Sequence, residues 1–251
     1  MSYFIFDGVL ETGKKFELSK NEAKHLLRSR RMKTNERFHI QDDRGKRFEA
    51  VLISCGRNIL TFVPEISVET PISSSLNLEI LQAITKGKSI DWILQKSTEL
   101  GVERLDFFCG KFSPYSFRVL KKKDPLIRWH RIVLESSKQC GRQFPPEIYL
   151  HEDLKTALKK IDEIQNSWLI SPGIKDSMSW KDLINKDNIE MNHRILVGPE
   201  GGFHSDEINL AIESGMIPID LGQRIMRSET ATVTAIAILQ FLWGDLANKS
   251  N

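Results

Sequence analysis

Two glycine-bearing loops near the carboxyl end, each directly after a short apolar run, constrain the fold of this chain more than any other feature. Residues 198–202 are Gly-Pro-Glu-Gly-Gly and follow the apolar run 195–197. Residues 221–230 carry a further glycine and two arginines, and they follow the apolar run 217–219. Open α/β sheets bind ligands at the loops on the carboxyl ends of their strands, so this pair of loops predicts a ligand site.

From about residue 76 onward, strand-like apolar runs alternate with helix-like segments. Strands are predicted at 76–83, 104–109, 147–150, 167–171, 194–198 and 218–221, and helices at 90–100, 125–140, 154–163, 180–185, 205–214 and 228–246. Ser205 is expected to cap the fifth of these helices. The alternation predicts an α/β domain with a mostly parallel sheet and helices on both faces. The last helix is apolar nearly all round, which favours burial on several sides, as at a subunit interface.

The first seventy residues show a different pattern. Short apolar runs at 4–6, 37–41, 47–53 and 59–63 are separated by turn-forming residues and predict strands. One helix interrupts them, with Ser19 as its cap and Glu22 completing a capping box. This pattern predicts a small β-barrel at residues 1–70, followed after the linker-like stretch 70–75 by the α/β domain at 71–251.

The positive charge of the chain is concentrated in this first segment. Residues 1–70 hold 13 basic and 10 acidic side chains, and the remaining 23 basic and 23 acidic side chains cancel, so the whole net charge of +3 lies there. The stretch 24–33 is the densest part. Helical spacing would place Lys24, Arg28 and Arg31 on one face, with Arg30 close by, and this predicts contact with RNA phosphates. A solvated charged surface is the alternative interpretation.

Three further cations outside this stretch, Lys86, Lys88 and Arg142, are also predicted to contact RNA. Lys86 and Lys88 follow the first strand of the α/β domain, where an anionic substrate could approach, and Arg142 ends a polar helix. A polar helix end without function is the alternative for Arg142. Lys86 and Lys88 also belong to a stretch like the end of a phosphate-binding loop, but Gln82 occupies the position of its required glycine, which argues against a nucleoside triphosphatase.

Several classes of protein are disfavoured by what the sequence lacks. No apolar run is long enough to span a bilayer, and the start does not have the pattern of a secretory leader, so a cytoplasmic location is expected. The cysteines Cys55, Cys109 and Cys140 are odd in number and far apart, which fits neither a disulfide framework nor a zinc site. No metal site, no membrane contact and no Ser-His-Asp arrangement is expected.

Four motifs occur in a fixed order, at 86–102 (Lys-Gly, Asp-Trp, Lys, Thr-Glu-Leu-Gly-Val), 139–148 (Gln-x-Gly-Arg, Pro-Glu-Ile), 198–203 (Gly-Pro-Glu-Gly-Gly-Phe) and 221–231 (Leu-Gly-x-Arg-Ile-x-Arg-x-Glu-Thr-Ala). Together with His-Leu-Leu-Arg at 25–28, this order resembles the bacterial small-subunit ribosomal RNA uridine-N3 methyltransferases of the SPOUT superfamily, over essentially the whole chain. One departure is visible: residues 110–115 lack the arginine that the family carries near the position of Phe112.

The resemblance implies a fold, a cofactor and partners. The first segment would be a PUA-like barrel that helps to bind RNA, and the α/β domain would contain a deep trefoil knot. The enzyme would be a homodimer that binds S-adenosyl-L-methionine and the ribosomal RNA of the small subunit. Carried onto this chain, the cofactor contacts would be Ser171, Pro172, Gly198, Glu200, Gly201, Gly202, Leu221, Gly222, Ile225 and Met226, together with Arg227.

A methyl transfer to uracil N3 requires help with the proton that this nitrogen carries. Arg227 and Arg224 are candidates for the cation that stabilises the developing uridinate, and Glu229 and Glu200 for the proton acceptor. Three alternatives remain at this stage: a SPOUT enzyme that methylates the ribose 2′-hydroxyl, a non-catalytic RNA-binding protein, and a structural dimer without a ligand.

Overall fold

The protein is described by a computed structural model that covers residues 3–19, 32–56, 59–70, 74–159, 166–174, 177–184 and 191–246. Contacts divide the chain into two compact units, Met1–Ser73 with Ser137–Phe144, and Ser74–Ser136 with Pro145–Asn251. The units differ from the predicted domains 1–70 and 71–251 chiefly by the segment 137–144, which packs with the first unit. The predicted basic helix, including Lys24, Arg28, Arg30 and Arg31, lies outside the described residues.

The first unit is a curled half-barrel of five strands. They are β1 (Phe4–Ile5), β2 (Phe16–Ser19), β3 (Arg37–Gln41), β4 (Arg47–Cys55) and β5 (Ile59–Val68), in the order β1-β3-β4-β5-β2. All pairs are antiparallel except β1 with β3. Its core is rich in phenylalanine, and Phe62 makes edge-to-face contacts with Phe6 and Phe38 at centroid distances of 5.8 and 5.7 Å.

Two features of this sheet differ from the prediction. Ser19, predicted as a helix cap, is the last residue of β2, a strand that the sequence did not indicate. β2 is only four residues long and pairs with β5, where Phe16 lies opposite Phe62. The strand therefore depends on a long-range contact, which the local sequence does not reveal. β5 was predicted to end at residue 63 but continues past Pro64. The sheet accommodates this proline, which lacks a backbone donor, by a shift in the β4–β5 register beside it.

The second unit contains a six-stranded sheet in which every pair is parallel. Its strands are β6 (Asn77–Ala83), β7 (Arg104–Phe108), β8 (Glu147–His151), β9 (Asn166–Ile170), β10 (Asn192–Val197) and β11 (Ile217–Ile219), in the order β11-β9-β10-β6-β7-β8. Alternate residues pack on opposite faces. Ile80 and Ile195 belong to the core on one face, whereas Leu81 and Leu196 belong to the core on the other. The predicted parallel α/β sheet is confirmed.

The described helices that lie wholly or mainly in this unit are α1 (Gly87–Glu99), α2 (Phe117–Lys123), α3 (Leu126–Cys140), α4 (Leu154–Lys159), α5 (Trp180–Ile184), α6 (Ser205–Glu213) and α7 (Ser228–Trp243). The last four residues of α3 belong to the first unit. Buried residues of α1, α3 and α7 join one core, and those of α4 and α6 join the other, so helices cover both faces. α2, which is short and rich in lysine, was not predicted. No described helix combines the length and apolar character needed to cross a membrane.

The predicted cap of α6 is wrong, because His204 and not Ser205 precedes the helix. The ring Nδ1 of His204 accepts a hydrogen bond from the backbone N of Asp206 at 3.2 Å. The Glu207 carboxylate accepts one from the backbone N of His204 at 3.0 Å, which completes a capping box. Histidine is not among the preferred cap residues, so the sequence pointed to the adjacent serine.

A buried ladder of charges crosses β10, β6, β7 and β8. Arg194 on β10 pairs with Glu79 on β6 at 2.9 Å. The fully buried Asp106 on β7 accepts hydrogen bonds from Arg104 and from His151, each at 2.6 Å. Hydrogen bonds of this kind allow charged groups to be buried inside the sheet.

Candidate functional site

The carboxyl ends of β9, β10 and β11 open onto a cavity of about 290 Å³. The three strands are neighbours in the sheet, so the loops that follow them meet at one edge. This cavity is lined by most of the residues predicted to contact the cofactor, namely Ser171, Pro172, Gly198, Glu200, Gly202, Leu221, Ile225 and Met226. Gly201 and Gly222 belong to the same loops but do not line it.

The glycines of the first loop meet different steric requirements. A Cβ on Gly198 would lie 3.0 Å from the ring of Phe203, and one on Gly201 would lie 2.9 Å from the Cβ of Phe112. Gly202 has open space around it but a φ of +76°, a left-handed conformation that side chains disfavour. The loop therefore needs close approach at two positions and left-handed backbone at the third.

A buried polar network holds this loop against β6 and α7. The Ser228 hydroxyl donates to the carbonyl oxygen of Gly198 at 2.6 Å and accepts from the Gln82 amide at 3.0 Å. Gln82 in turn accepts from the Thr232 hydroxyl at 2.6 Å. Sequence reasoning missed this network. The available signal was Gln82 itself, a fully buried polar residue in an apolar strand.

Glu200 connects the first loop with α1. Its Oε1 accepts a hydrogen bond from the backbone N of Lys86 at 3.1 Å, and Lys86 is the residue that precedes α1. A carboxylate at a helix amino terminus satisfies a backbone donor and interacts favourably with the helix dipole. Lys86 and Lys88 are both exposed at this end of α1. Lys86 is close to the first glycine loop, because its backbone donates to Glu200.

The predicted catalytic side chains occupy two kinds of position. Arg224 and Arg227 line the cavity, are exposed, and form no ion pair within the described part of the chain. Glu229, in the first turn of α7, is half-buried and does not line the cavity. Its Oε2 is buried and has no hydrogen-bond partner among the described residues. The site therefore combines two available cations with a nearby carboxylate.

The loop at 110–115, where the chain departs from the family pattern, packs against the start of α6. The Lys111 ammonium lies 2.5 Å from the Asp206 carboxylate, and the backbone N of Lys111 donates to Glu207 at 3.0 Å. The Phe112 ring lies 5.9 Å from the His204 ring, centroid to centroid. Phe112 also packs close to Gly201, where it leaves no room for a Cβ. The loop at 110–115 therefore supports one side of the loop at 198–202.

Arg142 lies in the turn after α3, within the first unit. Its Nε donates to the carbonyl oxygen of Phe144 at 2.6 Å, and its own carbonyl accepts from the Tyr3 hydroxyl at 2.5 Å. The side chain is half-buried. The structure thus gives Arg142 a role in shaping the turn, and its predicted contact with RNA stays a prediction.

Cys109 follows β7 and does not have the properties of a nucleophile. Burial, together with the negative charges of Glu152 and Asp153, raises the pKa of its thiol to about 11. The group therefore stays protonated at neutral pH, where only a thiolate would attack. Among the described residues, no cluster of side chains is suited to hold a metal ion.

Comparison with known proteins places this architecture among RNA-modifying enzymes. The RNA methyltransferase domain family matches residues 73–240, and the RNA methyltransferase PUA domain family matches residues 18–65. The ribosomal RNA small subunit methyltransferase E of Buchnera aphidicola (from Schizaphis graminum) is 29% identical over 238 residues, which are 95% of each chain.

Two solved structures are similar over nearly their whole length. The ribosomal RNA small subunit methyltransferase E of Neisseria gonorrhoeae, bound to S-adenosylmethionine, is 30% identical, with a TM-score of 0.85 over 98% of this chain and 99% of the other. A Legionella pneumophila protein in complex with the same cofactor is 27% identical, with a TM-score of 0.86 over 97% and 98%.

A parallel sheet with a ligand cavity at its carboxyl edge, preceded by a PUA-like half-barrel, defines an RNA methyltransferase of the SPOUT class. The chain belongs to the RNA methyltransferase family, and within it to the group of the ribosomal RNA small subunit methyltransferases E.

Proposed function

We propose that this protein transfers a methyl group from S-adenosyl-L-methionine to N3 of one uridine in the ribosomal RNA of the small subunit. The observation that carries the proposal is the cavity at the ends of β9, β10 and β11, because most of the residues that line it belong to the family motifs at 198–203 and 221–231. The solved relative from N. gonorrhoeae, whose described activity is on small-subunit ribosomal RNA, has S-adenosylmethionine bound.

The residues of the cavity fit this cofactor. A volume of about 290 Å³ lies at the lower end of the range for small-molecule sites, and apolar side chains such as Leu221 and Met226 line it. Gly198 and Gly202, which have no side chains, bring backbone groups to the wall, and this suits recognition of an adenine edge. When bound, S-adenosylmethionine supplies an electrophilic methyl group on a sulfonium.

The chain's own residues then have to manage charge and a proton on the RNA base. Arg227 and Arg224 line the cavity without a carboxylate partner among the described residues, so their charge is available to stabilise a uridinate oxygen. Glu229 is the proposed proton acceptor: it follows Ser228, which lines the cavity, and its own Oε2 has no hydrogen-bond partner among the described residues. We assign Glu200 to positioning of the loop, because it accepts from the backbone of Lys86.

The remaining partners also belong to the proposal. The PUA-like unit, taken as residues 1–70, helps to bind the RNA through the basic stretch 24–33. Lys86, Lys88 and Arg142, which lie outside residues 1–70, contribute further contacts. The active form is a homodimer, in keeping with the exposed apolar residues Phe241 and Leu246 at the carboxyl end of the chain. A trefoil knot is expected to place the loops after β10 and β11 against each other.

Nucleoside mass spectrometry of ribosomal RNA tests the proposed function. Cells that lack the protein should lose one N3-methyluridine of the small subunit, and the wild-type protein should restore it, whereas Arg227→Ala should not. Loss of a 2′-O-methylated nucleoside in its place would make the protein a ribose methyltransferase. An unchanged nucleoside profile, with RNA binding intact, would favour the non-catalytic RNA-binding protein.

A further inference from the structure

The turn between β3 and β4 in the first unit borders an open cavity of about 580 Å³. Arg44, Lys46 and Arg47 line it together with Gln143 and the acidic Glu69. All of its lining residues belong to the first unit. The cavity is therefore built from residues that have no part in the cofactor site.

Arg47 is the unusual member of this set because it is 95% buried. Its Nη2 donates to the Gln41 side-chain oxygen at 2.9 Å and to the Gly141 carbonyl at 3.1 Å. The guanidinium lies 4.0 Å from the centroid of the Tyr3 ring. Nε has no hydrogen-bond acceptor among the described residues. The side chain is thus held firmly in place and still incompletely satisfied.

No carboxylate balances this buried charge within the described part of the chain. Of the two acids in the same turn, Asp42 accepts instead from the backbone amides of Arg44 and Lys46 at 3.1 and 2.8 Å, and Asp43 is exposed to solvent. Burial lowers the pKa of the Arg47 guanidinium, and attraction from Tyr3 opposes this shift only in part. By contrast, the buried Arg194 is paired with Glu79. A buried charge without a counter-ion is unfavourable, so the first unit is suited to an external anion.

The turn also presents two exposed cations beside Arg47. Arg44 and Lys46 flank Gly45, whose φ of +78° and close neighbours exclude a side chain, since a Cβ would lie 2.5 Å from the Gln143 Nε2. Gln143 donates to the Gly45 carbonyl at 3.1 Å, which fixes the turn. The Lys46 ammonium lies 5.2 Å from the centroid of the Phe48 ring.

We infer that Arg44, Lys46 and Arg47 form a phosphate-binding site in the PUA-like unit, and that a phosphodiester of the RNA substrate occupies it. Forked guanidinium donors match phosphate oxygens, and phosphate contacts fix the register of a nucleic acid on a protein. The identity of the anion as RNA rests on the proposed function, whereas the preference for a phosphate rests on the three cations alone.

A salt titration of RNA binding by the full-length protein tests this site. Arg44→Gln with Lys46→Gln removes two exposed cations. We expect the negative slope of log K against log salt to become shallower by about 1 for each lost phosphate contact. Affinity at about 100 mM salt should fall roughly tenfold or more. Lys14→Gln with Lys15→Gln, in the same unit but outside the cavity, changes the charge equally and should alter the slope much less.

Arg47 needs a second measurement, because its substitution can affect folding. Arg47→Lys keeps the charge and loses the fork, and thermal melting establishes that the variant is folded. Inorganic phosphate should raise the melting temperature of the wild type more than that of Arg47→Lys. If phosphate has this effect but the RNA slope of the Arg44 and Lys46 variant is unchanged, the RNA assignment is overturned in favour of a free anion. If neither effect occurs, the site itself is overturned.

Wild-type methyl transfer is measured on the same samples to separate this inference from the proposed function. A wild type that methylates RNA, with salt slopes that are equal in both double variants and no effect of phosphate on melting, rejects the phosphate site and leaves the proposed function standing. If the two double variants differ in salt slope as expected but the wild type transfers no methyl group, the proposed function is rejected and the phosphate site for RNA is retained.

Discussion

Arg227 stands where the cavity meets the last helix. Its side chain lines the cavity, and its backbone carbonyl accepts from Ala231 at 2.9 Å in the first turn of α7. The backbone at this position is therefore fixed by the helix, while the residue borders the cavity. A preorganised cation of this kind stabilises charge that develops only during the reaction.

We expect Arg227→Ala to lower kcat by about 100-fold, about 2.7 kcal/mol, with a much smaller loss of cofactor affinity. Single-turnover methyl transfer and calorimetric titration with S-adenosylmethionine measure the two effects. Arg227→Lys is the matched control, because it keeps the charge, and it should retain part of the activity. Equal losses of turnover and cofactor affinity would assign Arg227 to binding.

At the scale of elements, Ser228 couples the first glycine loop to α7 and β6. Ser228→Ala would remove the donor to the Gly198 carbonyl and the acceptor for the Gln82 amide. We expect a loss of about 1–3 kcal/mol in the free energy of unfolding, because buried polar groups lose their partners. A looser loop should also weaken S-adenosylmethionine binding about tenfold, about 1.4 kcal/mol.

Urea unfolding and calorimetry check these two numbers. Ser214→Ala is the matched control, since its hydroxyl donates to the Leu210 carbonyl at 2.8 Å at an exposed helix end. It should change neither quantity appreciably. Normal cofactor affinity in Ser228→Ala would mean that the loop keeps its shape without the network.

The charge ladder makes a prediction about pH. Burial of Asp106 raises its pKa, but the hydrogen bonds from His151 and Arg104 outweigh this effect, and the pKa lies below the ordinary value of 3.8. The carboxylate therefore contributes stability above about pH 4, and this contribution is lost as the pH falls through the folded-state pKa. Asp106→Asn should lower the free energy of unfolding by about 3–5 kcal/mol at pH 7.

Denaturant unfolding at pH 7 and at pH 3 measures this dependence. The difference between the wild type and Asp106→Asn should shrink at the lower pH, because Asp106 of the unfolded wild-type chain then binds a proton more readily than the folded carboxylate does, and this favours unfolding of the wild type. A difference that stays constant between the two pH values would assign the effect to packing alone.

At the scale of the whole molecule, the exposed apolar residues of α7 bear on assembly. Phe241 is 62% exposed, although α7 is otherwise packed in the core through residues such as Ile236 and Leu239. Exposed large apolar groups at the end of a buried helix are typical of a subunit interface. We expect the wild-type protein to sediment as the proposed dimer, and Phe241→Glu to sediment as a monomer, in sedimentation velocity.

The control for this prediction is Ile66→Glu, a comparable substitution at a residue of β5 that is 54% exposed. It should leave the dimer intact. A wild-type protein that sediments as a monomer would contradict the proposed homodimer, and an unaffected dimer in Phe241→Glu would place the interface elsewhere.

The sequence by itself determined the strands of the second unit and the loops of its site, whereas it missed the short helix α2. All six strands were predicted to within about two residues at each end, as in β10, predicted at 194–198 and observed at Asn192–Val197. This was possible because a run of apolar residues bounded by turn formers reports burial locally. The positions of Gly198 and Gly222 likewise marked the loops that border the cavity, because a Cβ on Gly198 would lie 3.0 Å from the Phe203 ring and Gly222 has a φ of +103°.

Only the tertiary structure decided which elements meet. The order β11-β9-β10, the pairing of β2 with β5, and the contact of Gln82 with Ser228 each join residues far apart in the chain. Local periodicity indicates that a face is buried but not what buries it, because partner choice depends on the packing of the whole core. For the same reason, the unpaired charge of Arg47 became visible only when its neighbours were in place.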